Sequence, residues 1–517
     1  MKVSADLLAG QEPIFDALVT ARDRFGDKDI LEDQDRNPLT YTGLIRAAFV
    51  LGRKIAAMTQ PGERVGVLLP ASSGVVVTFY GLHAHGRTPV MLNFTSGERN
   101  LKAAIKAAGV KKVLTAKRFV QQAKLDDLIA DLSSVAEMVW LDDVRKTIGL
   151  QDKIYGLVAG MAPRRFRVRT NLEDPGVILF TSGSFGAPKG VVLSQANLTA
   201  NVRQVAAHID LDPAWVVFNP LPTFHCFGLT GGVLLPLLCG LKAFQYPSPL
   251  HAKQIVELLP QVKASIVFAT DTFLNQWARV AGPDDFSTLE FIVAGAEKVK
   301  DETYHLFNTK FRGVKLLEGY GATEAAPVVA VNHPDRNRPG TVGQMLPGME
   351  WRLEGVPGIN EGGRLYLRGP NVMRGYLSPD DPQVIEPLED GWHDTGDIAD
   401  VDAEGYVAIL GRVKRFAKIG GEMVSLTAVE GLAGAVWPES RHAVVSIADA
   451  RKGEKLVLVT DRKDADVARL AEWARTHGAP ELAVPKKIMR VDEVPVLGTG
   501  KTDYVAIQQM AEVSDAA

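Results

Sequence analysis

The sequence predicts an α/β protein, and three observations carry that prediction. Between residues 65 and 113, short apolar runs at 65–69 and 88–92 alternate with helix-like segments such as 100–108, the rhythm of parallel strands linked by helical crossovers. The rhythm returns at 264–269, 291–294 and 316–318, the last run ending in a glycine-rich turn. Past Pro339 the texture changes to short strands with turn signals, at 361–367 and 406–410, which marks a small β-rich subdomain over about 339–411. The expected domains are therefore 1–411 and 412–517, the second long enough for a compact α+β unit of its own.

Composition narrows the function classes. The chain has 517 residues, 46% apolar and 23% charged, with a formal net charge of −3, so no overall electrostatic pull toward nucleic acid exists. Cys226 and Cys239 are the only cysteines, without a C-x-x-C pair; neither a disulfide framework nor a cysteine zinc site is expected, and a reducing cytoplasm fits. Residues 1–10 lack the basic segment and apolar core of a signal peptide. The longest apolar stretch, 227–241, is broken by four glycines and Pro236, so it reads as buried core and not as a membrane span.

The chemistry begins at 181–190, Thr-Ser-Gly-Ser-Phe-Gly-Ala-Pro-Lys-Gly, between the apolar runs 177–180 and 191–193. Small residues (Gly183, Gly186) let backbone N–H groups close on a polyphosphate, while Thr181, Ser182 and Ser184 add hydroxyl donors and Lys189 a cation. A Walker loop would need G-x-x-x-x-G-K-[ST] with a helix starting at the lysine. Here a β-type run follows Lys189, and a helix is expected only from the N-cap Ser194, with Leu198, Val202, Val205 and Ile209 on one face.

Four further motifs follow in order: Gly319-Tyr-Gly-Ala-Thr-Glu324, Gly391-Trp-His-Asp-Thr-Gly-Asp397, Gly411-Arg-Val-Lys414 and Leu497-Gly-Thr-Gly-Lys501. Together with the loop they resemble the adenylate-forming superfamily of acyl-CoA synthetases, luciferases and peptide-synthetase adenylation domains, over nearly the whole chain. The resemblance implies a large first domain, a small mobile C-terminal domain with its hinge near Lys414, and ATP and Mg²⁺ as cofactors. It further implies that Glu324 is the Mg²⁺ ligand and that Thr323 donates to the α-phosphate. Asp397 and Arg412 would hold the ribose, leaving Asp394 a turn-forming role. Gly295, Ala296 and Glu297, with Gly319, Tyr320 and Gly321, would wall the adenine. Lys501 would bridge carboxylate and phosphate oxygens during adenylation. After the small domain rotates, Lys418, Gly420 and Gly421 would face the pantetheine arm.

Two segments give a narrower likeness. Gly86-Arg-Thr-Pro-Val-Met-Leu-Asn-Phe94 and Lys414-Arg-Phe-Ala-Lys-Ile-Gly-Gly-Glu-Met-Val-Ser425 resemble the acyl-acyl carrier protein synthetase half of bifunctional 2-acylglycerophosphoethanolamine acyltransferases, and Val494-Pro-Val-Leu-Gly-Thr-Gly-Lys501 agrees. None of the ten histidines has Asp five positions later, so the His-x-x-x-x-Asp acyltransferase motif is missing. That likeness implies a fatty acid substrate, with His225 at the mouth of the acyl pocket, and acyl carrier protein as acceptor, coenzyme A being the alternative. Lys486, Lys487, Arg490, Arg412, Lys414 and Arg415 would then form a basic face for the acidic carrier. Peripheral contact with the inner face of a membrane is compatible with this reading. Phe185 departs from the Ser or Thr usual in the superfamily's loop, removing one hydroxyl donor. A non-catalytic binding relative would tolerate loss of Lys501, Glu324 or Asp397, yet all three are present.

Overall fold

The computed structural model describes residues 9–516 except 182–187, 312, 360, 420–421, 450–452, 478 and 497–501. The chain divides into two compact units, Met1–Glu350 with Arg368–His393, and Trp351–Leu367 with Asp394–Ala517.

Two large mixed sheets build the first unit. In one, six parallel strands lie in the order Lys315–Gly321, Phe291–Ala294, Ile266–Ala269, Val216–Asn219, Lys242–Gln245 and Asp29–Asp33, with antiparallel strands at both edges. In the other, Pro175–Thr181, Thr88–Met91, Arg64–Val67, Lys112–Thr115 and Glu137–Trp140 run parallel, and Lys189–Ser194 folds back antiparallel on the first of them. Phe291–Ala294 and Ile266–Ala269 bury every residue, which is why their sequences are unbroken apolar runs and not alternating ones. The run expected to start at Ala264 becomes strand only at Ile266, because the Ala264 N–H is taken by the Leu259 carbonyl of the preceding turn.

Helices Tyr41–Ala56, Ser73–Ala84 and Gln195–His208 fill the space between the two sheets. Ser73–Ala84 is apolar all round because it is buried all round. It meets Tyr41–Ala56 at a pair of glycines: a Cβ on Gly52 would lie 2.4 Å from the Gly81 carbonyl oxygen. Gln195–His208 starts where the sequence predicts. The Ser194 hydroxyl accepts from the Asn197 N–H (3.1 Å) and Asn197 Oδ1 accepts from the Ser194 N–H (2.9 Å), a reciprocal cap, while Leu198, Val202 and Val205 are buried.

The apolar stretch 227–241 is core, as expected. It forms Cys226–Leu229, a π-helical turn Thr230–Leu234 and Leu235–Cys239, and no described helix is long and apolar enough to cross a membrane. Two buried amides back the π turn. Asn219 Nδ2 donates to the Gly228 carbonyl (3.2 Å) and to Gln245 Oε1 (2.9 Å), and Gln245 Nε2 donates to the Gly232 carbonyl (2.7 Å).

The second unit contains a four-stranded sheet in the order Glu350–Glu354, Gly363–Arg368, His393–Val401, Val407–Arg412, and a five-stranded sheet around Gly453–Thr460. The latter sheet alternates strictly. Val444, Leu456 and Leu458 pack under helices Leu426–Val436 and Val467–Thr476, whereas Val445, Val457 and Val459 pack with Ile507 and Ala511 of Tyr504–Ala516. The fold class is thus α/β with a large first unit and a smaller α+β second one. Compactness assigns 351–367 and 394–411 to the second unit, where the sequence places the boundary after Gly411.

Candidate active site

The expected phosphate loop sits between two strands, as read from the sequence. Pro175–Thr181 and Lys189–Ser194 pair antiparallel with Thr181 opposite Lys189, so the chain reverses here and no helix can start at the lysine. Ser182, Gly183, Ser184, Phe185 and Gly186 lie outside the described residues, as do Gly420, Gly421 and Lys501. The described residues define the rim of the loop, a hydroxyl on one side and an exposed ammonium on the other.

From that rim the structure reaches Glu324. The Lys189 Nζ stands 5.0 Å from the ring centroid of Tyr376, and the Tyr376 hydroxyl donates to Glu324 Oε1 (2.9 Å). Strand Gly375–Leu377 pairs with Lys189–Ser194 and brings Tyr376 opposite Val191. Gly375 has φ +150°, and a Cβ there would lie 2.0 Å from the Glu386 carbonyl oxygen, so only glycine lets this strand settle.

Glu324 itself lies in the 3₁₀ turn Thr323–Ala325, which is pinned from three directions. The Met373 N–H donates to the Glu324 carbonyl, Asn371 Nδ2 to the Ala325 carbonyl and Thr230 Oγ1 to the Ala326 carbonyl, each at 2.7 Å. Among the described residues, neither Lys189 nor Glu324 has an ion-pair partner. A cation and a carboxylate are therefore held near each other by one aromatic ring, with bonding capacity left over. Sequence reading missed Tyr376 and Asn371; the only local signal was the glycine before the tyrosine.

The two motifs expected on the adenine side occupy the carboxyl ends of adjacent parallel strands, where Ala294 is in register with Glu318. Gly295 and Ala296 follow one strand, and Ala296 is exposed at φ +68°, a left-handed conformation uncommon for alanine. Gly319, Tyr320 and Gly321 end the other. A Cβ on Gly321 would lie 2.3 Å from the Pro327 carbonyl oxygen. The Glu297 carboxylate is turned to a structural task, accepting from the Thr272 N–H (3.1 Å) and hydroxyl (2.9 Å) at the start of helix Asp271–Val280.

His225 is half-buried, and its Nδ1 accepts from the Phe227 N–H (3.3 Å). The Phe227 ring lies against the expected adenine wall: a Cβ on Gly295 would sit 3.2 Å from its edge, and it packs edge-on against Phe268 (5.3 Å between centroids). His225 thus lies two residues from an aromatic that touches the expected adenine wall. Neighbouring Cys226 is no nucleophile, since burial pushes its thiol up to about 12.

In the second unit, Asp397 faces Arg412 across an antiparallel pair, with Arg412 Nε 3.1 Å from Asp397 Oδ1. The carboxylate is buried (7% exposed) while the guanidinium is open (70%). Asp394 has the turn role expected of it, accepting from the Gly396 N–H (3.0 Å) and pairing with Arg364. Lys414 is exposed in the turn Val413–Arg415, and Lys418 is exposed on Phe416–Ile419, its N–H donating to Glu454 (2.5 Å).

Of the six cations expected on the basic face, Arg412, Lys414 and Lys486 are exposed, and the other three require correction. Arg415 is largely buried, bonding Glu430 (2.6 Å) and the Val444 carbonyl (2.7 Å) with its guanidinium 3.8 Å over the Tyr504 ring. Arg490 donates to the Ala465 carbonyl, and Lys487 to the Ser514 carbonyl (2.7 Å) beside Asp515. These cations hold the domain's own chain, a use that residue counting along a sequence does not reveal.

Residues 18–377 match the family model described as AMP-binding enzyme. Feruloyl-CoA synthase from an Amycolatopsis species is 30% identical over 479 residues, covering 90% of this chain and 92% of that protein. The medium-chain fatty-acid–CoA ligase of Escherichia coli K12 is 26% identical, covering 92% and 86%, and the long-chain-fatty-acid–CoA ligase of Salmonella typhimurium 28% identical, covering 85% and 84%. ATP-bound MatB from Rhodopseudomonas palustris shares the fold with a TM-score of 0.82 at 24% identity, over 96% of this chain and 99% of that one. With the loop hairpin, Glu324 and the two glycine-rich strand ends in place, the chain belongs to the AMP-binding enzyme family of adenylate-forming ligases.

Proposed function

We propose that this protein activates a fatty acid with ATP and passes the acyl group to the thiol of coenzyme A. The observation that carries this reading is the Lys189–Tyr376–Glu324 arrangement beside the loop hairpin. In the first step a carboxylate oxygen attacks the α-phosphorus, the bond to the β-phosphate bridging oxygen breaks, and pyrophosphate leaves. Lys189 and the loop meet the β- and γ-phosphate charge, Thr323 donates to the α-phosphate, and Lys501 spans the carboxylate and phosphate oxygens. Asp397, oriented by Arg412, accepts from the ribose hydroxyls, and Tyr320 lies along the base.

A Mg²⁺ ion fits the residues present. It is commonly held by one or two carboxylates together with phosphates and water. Glu324 offers one steered carboxylate, and no cluster of three or more His, Cys, Asp or Glu forms among the described residues. When bound, the ion neutralises developing phosphate charge as a Lewis acid. In the second step the thiol sulfur attacks the acyl carbon and AMP leaves, after the small domain turns about Lys414 to present Lys418, Gly420 and Gly421.

Coenzyme A is preferred over a carrier protein for two reasons. The similar proteins named above are CoA ligases, and three of the six cations expected to meet an acidic carrier, Arg415, Lys487 and Arg490, are engaged within the domain. The carrier-protein reading rests on the likeness of 86–94, 414–425 and 494–501. Incubation with ATP, Mg²⁺ and dodecanoate, hexadecanoate or ferulate, with coenzyme A or holo acyl carrier protein as acceptor, separates these readings. We expect pyrophosphate exchange with a fatty acid and thioester formation on coenzyme A. Lys501→Ala should abolish exchange, whereas Lys418→Ala should slow only thioester formation. Absence of exchange with every acid would refute the proposal.

A further inference from the structure

Helix Leu150–Met161 has two faces that differ from ordinary surface-helix design. Its inner face is made of small residues: a Cβ on Gly156 would meet Val50 at 2.4 Å and one on Gly160 would meet Arg46 at 2.6 Å, so it presses closely onto helix Tyr41–Ala56. Its outer face is apolar. Leu150, Ile154, Leu157, Val158 and Met161 recur at the spacing of one helical stripe and are 73%, 50%, 49%, 45% and 76% exposed. Phe166, in the short helix that follows, extends the ridge at 38% exposure. Scattered exposed leucines need no explanation, but a contiguous ridge of this kind marks a contact surface.

Charge around the ridge identifies what it meets. Residues 145–169 contain seven Lys and Arg against one Asp, in a chain whose net charge is −3. The one acid, Asp152, is on the inner side, bonded to Lys54 (2.7 Å). Arg164 and Arg167 are paired with Asp23 and Asp16, and Lys146 with Asp143. Arg145, Lys153, Arg165 and Arg169 are exposed and, among the described residues, have no carboxylate partner. An apolar ridge edged by unpaired cations, on a helix lying along the surface, is the pattern that beds into the headgroup boundary of an anionic bilayer. A second copy of the chain fits less well. A two-fold pairing of this face would set the unpaired cations against one another, the half-exposed carboxylates nearby, Asp23 and Asp143, being already paired with Arg164 and Lys146.

We propose that helix Leu150–Met161 and the Arg165–Arg169 segment form a peripheral docking surface for anionic lipid bilayers. The assignment rests on this surface alone and is independent of the acid or acceptor used in catalysis. The test is sedimentation of the full-length protein with vesicles of phosphatidylcholine alone and of phosphatidylcholine with phosphatidylserine at roughly three to one. Two variants, Leu157→Glu/Met161→Glu and Lys153→Glu/Arg165→Glu, accompany the native chain. Circular dichroism and pyrophosphate exchange verify that each variant is folded.

Binding should favour the anionic vesicles, weaken with salt, and fall about fivefold for each cation removed. The Leu157→Glu/Met161→Glu variant should lose binding to both vesicle types. Equal binding to neutral and anionic vesicles, or unchanged binding by both variants, would overturn the assignment. So would a native dimer, seen by sedimentation equilibrium, that dissociates in the Leu157→Glu/Met161→Glu variant while the native protein ignores vesicles. A monomer that ignores both vesicle types would overturn it equally.

Discussion

Each of the two units contains a trio of a cation, a tyrosine and a glutamate, in two different states. In the first, Lys189 lies 5.0 Å from the Tyr376 ring and the tyrosine hydroxyl bonds Glu324. In the second, Arg415 lies 3.8 Å from the Tyr504 ring and that hydroxyl bonds Glu430 (3.1 Å). The second trio is closed: the guanidinium also bonds Glu430 directly at 2.6 Å, the Val444 N–H adds a donor, and burial surrounds the pair. The first is open, its cation exposed and its carboxylate without a charged partner among the described residues. A cation and a carboxylate that complete one another build a domain. Held apart by a ring, they retain capacity for a third charged body, and a nucleotide triphosphate with its metal is such a body.

The largest effect that tests this contrast is on stability. Arg415→Ala leaves the Glu430 charge buried alone and should cost about 3–5 kcal/mol, read by urea unfolding followed through Trp437 and Trp473. The paired Arg415→Met/Glu430→Leu variant should regain most of that loss, because both charges leave together. A loss below about 1 kcal/mol for the single variant would show that the closed trio is not a structural tie.

Lys189→Ala should behave oppositely, lowering pyrophosphate exchange by about 10²–10³ while changing stability by no more than about 0.5 kcal/mol. Smaller again is Tyr376→Phe, which frees Glu324 to wander: the Mg²⁺ concentration for half-maximal exchange should rise roughly 10- to 100-fold. An unaltered Mg²⁺ dependence would separate Tyr376 from the metal.

The mildest expectation concerns pH and again divides the units. Burial lowers His83 to about 3 and His85 to about 4, with Arg87 and Arg53 adding to the second effect, so both stay neutral when folded. Unfolded, they take up protons near 6.5. Their contribution is therefore complete above pH 6.5 and declines as pH falls toward 4, by about 1.4 kcal/mol per pH unit for each histidine. The second unit has no buried histidine among its described residues, and its unfolding should depend less steeply on pH over that window.

Much of this was legible in the sequence because buried parallel strands write themselves as unbroken apolar runs. Residues 291–294 were bounded correctly, and the cap at Ser194 follows from local hydrogen bonding that depends on a few neighbouring residues. Less legible were the pairings between distant segments. Tyr376 reaches Glu324 across a strand pair set by Gly375, and no period or local motif encodes that meeting. Arg415 was read as part of a docking face because a cation in a basic run looks solvated until the fold buries it. Glu297 was read with the adenine wall, yet its carboxylate caps a helix that begins 26 residues earlier, at Asp271.

The π turn at Thr230–Leu234 is clamped from behind by Asn219 and Gln245, and a Cβ on Gly232 would meet the Asn219 amide at 2.0 Å. A main chain fixed in this way is indifferent to what its outward residues are. Exchanges at Phe227 or Phe268, which pack on one another and against Gly231 of this turn, then alter bulk and leave the frame standing.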